Sequence, residues 1–214
     1  MNKIIKFGIG FLLIITVLLV MLVLISSRFA NGWDFINDKT CAPPCLRNII
    51  PGVTTQTEAL DIANANKVFG TCNLIDLTEQ GGIKYIHCQS YKRYVNITLD
   101  DNRVTGIGIH PYPNYSLKTI IDRLGYPQGI SCGLVNLPDY PKRVKPILWF
   151  DNYSISVFLP EIAADQCAIS PTLDIETIVY DSVDNYQENK NAIGRLKNIM
   201  TWGGFATYPG KDLP

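Results

Sequence analysis

The sequence predicts an α+β protein with a single N-terminal transmembrane helix and an extracytoplasmic domain of two helix-plus-antiparallel-sheet units. Three observations support this prediction. Residues 7–25 are continuously apolar, several later segments alternate apolar and polar residues, and the order of one helix followed by hairpins occurs twice. Alternation is the period of a strand with one buried face. The two units are expected at about 49–110 and 111–181.

The apolar run from Phe7 to Ile25 is the expected membrane anchor. Its 19 residues would form a helix about 28 Å long, close to the roughly 30 Å of a bilayer core. Two lysines precede the run and Arg28 follows it, which favours a cytoplasmic N-terminus. We therefore expect a single-pass cell-membrane protein with its C-terminal domain outside. The alternative is a cleaved signal peptide, whose apolar region is usually shorter, at about 7 to 15 residues.

The domain organisation follows from changes in composition along the chain. The expected parts are a cytoplasmic tip and anchor (1–28), a stalk or leading loop (29–48), the α+β domain (49–181) and a C-terminal helix and tail (182–214). The stalk contains Gly, Asn, Asp and a Pro-Pro pair, which cannot sustain a helix or a central strand.

Local signals define the elements of each unit. In the first, Thr55 and Glu58 have the spacing of a capping box, which predicts a helix from about Gln56 to Ala65. Hairpins should follow, because segments such as YVNITL (94–99) alternate. In the second unit, residues 114–116 should cap the helix LKTIIDRL, and further strands follow. A short amphipathic helix is expected at about 187–200.

Two phrases in the chain carry a resemblance to known proteins. Residues 51–55 read Pro-Gly-Val-Thr-Thr, and residues 124–127 read Leu-Gly-Tyr-Pro. Helix-then-sheet units opened by such phrases resemble the small outer-membrane assembly lipoproteins and the tandem-repeat β-lactamase inhibitor proteins. The chain is similar also to uncharacterised membrane-anchored bacterial proteins. The resemblance implies helices on one face of an antiparallel sheet and a binding role. The chain lacks the acylated cysteine of the lipoproteins.

Six cysteines lie beyond the apolar run, and their even number in an oxidising setting predicts disulfides rather than metal ligands. Cys72 and Cys88 would face each other across a hairpin turning near residue 80, within bridging distance. Cys132 and Cys167 then pair by elimination, although six cysteines allow 15 connectivities. Cys41 and Cys45 could form a local bridge or a clip to another strand. Their C-A-P-P-C spacing differs from the C-x-x-C of redox enzymes.

No catalytic motif is present, so neither a cofactor nor a metal site is predicted. His87 and His110 have no catalytic neighbours in sequence and are interpreted as surface residues. Gly106 and Gly108 are interpreted as strand glycines that allow close packing. The formal net charge is zero and no basic stripe follows the apolar run, which gives no reason to expect nucleic acid as a partner.

Aromatic residues in turns and in the tail are the candidate recognition residues, since Tyr and Trp are frequent at interface hot spots. They are Tyr112, Tyr115, Trp202, Phe205 and Tyr208. The expected function is non-enzymatic protein binding at the cell envelope, with the membrane and another envelope protein as partners. The alternatives are a structural envelope component and an envelope enzyme with an unrecognised site. A cleft with converging polar side chains would favour the enzyme.

Overall fold

The computed structural model describes seven stretches of the chain, namely residues 14–21, 40–90, 93–111, 115–135, 143–163, 166–197 and 199–209. The chain divides into two units, Met1–Asn37 and Asp38–Pro214. Of the first unit only residues 14–21 are described; they are helical, and their side chains are exposed. All further description concerns the second unit.

The part of the chain that the structure describes does not contain the predicted transmembrane helix. Within the described stretches, no helix is long and apolar enough to cross a membrane. Most of the expected span at 7–25 lies outside those stretches. On this finding the predicted single-pass cell-membrane anchor with a cytoplasmic N-terminus is wrong.

The second unit is built on one large antiparallel sheet. Among the described residues, nine strands join in the order β1-β2-β3-β4-β9-β7-β6-β5-β10, and β8 pairs with β11 in a separate two-stranded sheet. The strands are β1 Thr71–Asp76, β2 Lys84–Ser90, β3 Arg93–Asp100, β4 Arg103–His110, β5 Gly129–Val135, β6 Arg143–Phe150, β7 Ile155–Phe158, β8 Gln166–Ala168, β9 Thr177–Asp181, β10 Met200–Thr201 and β11 Thr207–Pro209. The helices of this unit are α1 Gln56–Ala65, α2 Leu117–Leu124 and α3 Val183–Lys197.

The continuous sheet corrects the predicted fold class of two helix-plus-sheet units with a transmembrane helix. Strand β9, from late in the chain, pairs with β4 on one side and β7 on the other. The two sets of hairpins are thereby fused. The physical reason is that each separate set would expose an unpaired edge, and inserting β9 between them satisfies both.

The sheet has two faces of different character. One row of directly paired residues crosses the sheet through six strands, and all of its members are buried: Ile86, Ile97, Ile107, Tyr180, Ile155 and Phe150. We call the face that carries this row the core face. The opposite face carries Thr98, Gly106, Asp181, Val179, Ser156 and Trp149, and we call it the cleft face.

Capping side chains determine where the helices begin. Thr55 and Glu58 form the predicted capping box, and the helix Gln56–Ala65 is confirmed. Helix α3 begins at Val183, four residues before the predicted start, because the Ser182 hydroxyl accepts a hydrogen bond from the Asn185 amide at 3.3 Å.

Disulfide bonding is confirmed for all six cysteines. Cys72 pairs with Cys88 across the β1–β2 hairpin, in the register that the turn position predicts. The other bridges are Cys132–Cys167 and the local Cys41–Cys45. Cys132–Cys167 closes the longest loop, with a sequence separation of 35, against 4 for Cys41–Cys45.

We expect the Cys132–Cys167 and Cys41–Cys45 bridges to differ in their effect on stability. By the loop-entropy account, replacing Cys132 and Cys167 with Ala should lower the free energy of unfolding by about 4 kcal/mol, and the same change at Cys41 and Cys45 by about 2 kcal/mol. Urea denaturation of both double variants, without reductant, measures the difference. Equal losses would contradict the dependence on loop length.

Candidate functional site

A cleft of about 380 Å³ lies between α3 and the cleft face of the sheet. Its floor comes from five strands and its wall from α3. The lining residues are Thr98, Thr105, Gly106, Trp149, Ser156, Phe158, Val179, Asp181, Asn185, Asn189 and Ile193. It is therefore a cavity with aromatic, aliphatic and polar walls, and with one carboxylate.

Asp181 is the ionisable residue of this lining. It is the last residue of β9, pairs with Gly106 of β4, and is only 3% exposed. A Cβ atom at position 106 would lie 2.6 Å from the Asp181 Oδ1 atom. Glycine is therefore required at 106 because the carboxylate occupies the space that a side chain would fill.

Helix α3 supplies the hydrogen-bond donors to this carboxylate. The Asn185 Nδ2 atom donates to Asp181 Oδ1 at 2.6 Å and lies 3.5 Å from the Thr105 carbonyl oxygen. Asn189, one helical turn further on, is a second hydrogen-bond partner. Residues four apart lie on one face of a helix, so both amides are directed to the same point.

Burial raises the pKa of Asp181 to about 6, although the hydrogen bonds from Asn185 and Asn189 oppose the shift. A nearby cation would also lower the pKa of Asp181. No cationic side chain among the described residues contributes to this pKa. The described lining contains no Lys, Arg or His. The carboxylate is thus hydrogen-bonded but has no counter-charge from these residues.

A second carboxylate holds α3 against the sheet. Asp151 Oδ1 accepts hydrogen bonds from the Tyr186 hydroxyl at 2.7 Å and from Lys190 Nζ at 2.5 Å. Burial raises the pKa of Tyr186, and the hydrogen bond to Asp151 raises it further, so the hydroxyl remains a donor. Tyr186 also packs edge-on against Trp149, with ring centroids 5.7 Å apart. These contacts fix the wall of the cleft.

An aromatic and polar strip extends across the same sheet face. Tyr94 stacks on His110 with ring centroids 3.8 Å apart, and His110 contacts the Thr177 hydroxyl at 3.1 Å. His87 Nδ1 lies 2.7 Å from Asn96 Oδ1. Burial lowers the pKa of His110. Both histidines are half-buried and have partners, so their interpretation as plain surface residues was incomplete.

The candidate recognition residues of the tail lie largely against one another. Trp202 packs edge-on against Phe205 at 5.8 Å and is stacked with Tyr208 at 6.0 Å. Tyr208 is buried, and its hydroxyl donates to the Gly204 carbonyl oxygen at 2.7 Å. Phe205 is exposed and Tyr115 is partly buried, whereas Tyr112 lies outside the described residues. None of the four described residues of this group lines the cleft.

No protein-family model matches the chain, and the searches found no curated protein and no solved structure similar to it. The resemblance to assembly lipoproteins and inhibitor proteins therefore stays a prediction. Function must be inferred from the geometry of the site.

Sequence reasoning missed Asp181 and its two asparagine partners. One signal was available, because Asn185, Asn189 and Ile193 repeat at intervals of four, which places them on one face of a helix. That face directly follows a strand ending in Asp181. The pairing of β9 with β4 brings Gly106 to the same place, and no local pattern indicates this pairing.

The two glycines of β4 should respond differently to substitution. Gly106→Ala should destabilise the protein by about 1 to 3 kcal/mol, because the new methyl group displaces the carboxylate. Gly108→Ala is the matched control, since its Cβ would meet only the Asn96 carbonyl oxygen at 3.9 Å. It should be neutral or stabilising by about 0.5 to 1 kcal/mol. Thermal unfolding of both variants checks the contrast, and similar effects would contradict the close approach.

The buried carboxylate should make stability depend on pH. Because the pKa rises from 3.8 to about 6 on folding, Asp181 favours the folded state below pH 3.8 and loses this contribution as pH rises through 6. Asp181→Asn should therefore be more stable than the natural protein by about 2 to 3 kcal/mol at pH 7.5, and the gain should vanish towards pH 4. Urea denaturation of both proteins at pH 7.5 and pH 4 measures this difference in the free energy of unfolding. Asp184→Asn, an exposed position on α3, controls for the loss of one negative charge.

Proposed function

We propose that this protein is a non-enzymatic binding protein and that its ligand site is the cleft between α3 and the sheet. The observation that carries the proposal is a 380 Å³ cleft containing a buried carboxylate without a cationic partner among its described lining residues. Ligand pockets typically measure about 300 to 1,000 Å³ and combine apolar walls with a few polar groups. The cleft has both properties.

The lining itself favours a preformed site. Trp149 lies at the base with its indole N–H directed to the Ser131 hydroxyl at 3.3 Å, and Asp151 holds α3 through Tyr186 and Lys190. Because hydrogen bonds hold α3 at several points, the wall of the cleft is already ordered before the ligand binds. Such preorganisation increases affinity because less conformational entropy is lost.

The disulfide bonds support an oxidising compartment for this function. Three bridges that leave no cysteine free fit an extracellular or secreted protein, because thiols stay reduced in the cytosol. Protein recognition through the tail aromatics stays a separate prediction. Phe205 is the residue of that group whose exposure best suits it.

Catalysis is the second candidate function. Polar side chains do converge in the cleft, and a carboxyl group with a pKa of about 6 is suited to proton transfer near neutral pH. Acid–base enzymes, however, commonly use two titratable groups with separated pKa values. The described lining offers one, and the asparagines beside it are amides. Binding is therefore the better supported function.

A ligand screen tests the proposal. Thermal unfolding of the full chain should be measured with a library of small polar compounds, in parallel with Val179→Trp, which fills the cleft. Compounds that bind there should raise the melting temperature of the natural protein and leave that of the variant unchanged. Val53→Trp, at an exposed position outside the lining, is the matched control.

Three outcomes would contradict the proposal. If no compound acts, or if every active compound acts equally on Val179→Trp, the cleft is not the binding site. If mass spectrometry recovers a bound compound chemically changed, the protein is an enzyme. A binding protein returns its ligand unaltered.

A further inference from the structure

We propose that the cleft binds a small organic cation, in which a primary ammonium group meets Asp181 and an apolar body lies against the aromatic and aliphatic wall. This inference rests on the proposed function, since it names the ligand class of the same site. The inference goes beyond the proposed function because it assigns a charge to the ligand and separate roles to the polar and apolar residues of the lining.

The charge of the ligand follows from the surroundings of Asp181. The carboxylate is 3% exposed, and burying an ionised group without a counter-charge is costly. Its hydrogen-bond partners, Asn185 and Asn189, are neutral. The nearby Lys190 is bonded to Asp151, whose oxygen also accepts from Tyr186. A ligand ammonium would supply the missing positive charge.

The polar groups of the lining suit an ammonium group specifically. A primary ammonium has three N–H donors and no acceptor. Asp181 offers carboxylate oxygens, and the hydroxyls of Thr98 and Ser156 and the asparagine carbonyl oxygens are further acceptors in the same lining. An anionic ligand would meet Asp181 with like charge and find no cationic side chain among the described lining residues.

The apolar residues of the lining suit an apolar body. Phe158, Val179 and Ile193 form an apolar surface beside Trp149. Ser156 pairs with Val179 and with Trp149 on the neighbouring strands, so the polar and apolar groups are interleaved on one sheet face. Apolar carbons placed here leave water, which favours binding. Aromatic rings also attract an ammonium group.

A metal ion fits the site less well than an organic cation. Calcium takes six to eight oxygen ligands and magnesium takes six, usually with more than one carboxylate or several waters. The described lining contains one carboxylate, which already accepts hydrogen bonds from two amides. The apolar wall would have no role in holding a bare ion.

Three probes of similar shape and different charge test the inference. Phenethylammonium, the neutral 2-phenylethanol and the anion 3-phenylpropionate should be titrated into the full chain at pH 7.5 by calorimetry. We expect phenethylammonium to bind at least roughly tenfold more tightly than the alcohol, because hydrogen bonds to charged groups contribute more than neutral ones. The anion should bind most weakly.

Variants identify the residue responsible. Asp181→Asn should abolish the preference for the cation, so that phenethylammonium and 2-phenylethanol bind with similar affinity. Asp184→Asn removes a charge from an exposed position of the same helix and should leave the preference intact. Circular dichroism of each variant verifies folding. Asp181→Asn is expected to stabilise the fold at pH 7.5.

The outcomes separate this inference from the proposed function. If the alcohol or the anion binds as tightly as the cation, and filling the cleft with Val179→Trp abolishes binding, the cleft is a binding site but the inferred cation is wrong. The same conclusion follows if Asp181→Asn leaves the preference unchanged. If no probe binds and the ligand screen on the full chain finds no compound sensitive to Val179→Trp, both proposals fail.

Discussion

The pairing of β4 with β9 is the constraint on which the rest of the structure depends. It places Ile107 opposite Tyr180 on the core face and Gly106 opposite Asp181 on the cleft face. The same strand contact therefore joins the two sets of hairpins into one sheet and brings the carboxylate to its glycine. A shift of one residue would exchange the faces, exposing Tyr180 and burying Asp181 in the core.

Asp181 lowers the stability of the fold that holds it. Its raised pKa means that the ionised form is destabilising near neutral pH, and Asn185 and Asn189 offset this cost only in part. Such a buried charge is informative, because proteins tolerate strain and uncompensated charge mainly at functional sites. At the buried carboxylate, this chain departs from what stability alone favours.

The remaining framework keeps the cleft in place. On the core face, a continuous row of buried aliphatic and aromatic residues crosses six strands. Cys132–Cys167 ties β5 to β8, and the Asp151 contacts hold α3 over the opposite face. Since side chains in a packed interior shift little, the distance between Asn185 and Asp181 is set by this framework and does not rely on a flexible loop.

Local signals in the sequence determined helix α1, the strand periods and the Cys72–Cys88 bridge, because a capping box, an alternation and a hairpin register each act over a few residues. The predicted anchor and the two-unit fold were wrong, and the site went unnoticed. Asp181 and Asn185 are close in sequence, but Gly106 comes from a distant strand, and only the long-range pairing of β9 with β4 brings it to them. Such pairing depends on the total burial of the sheet, which no short stretch of sequence encodes.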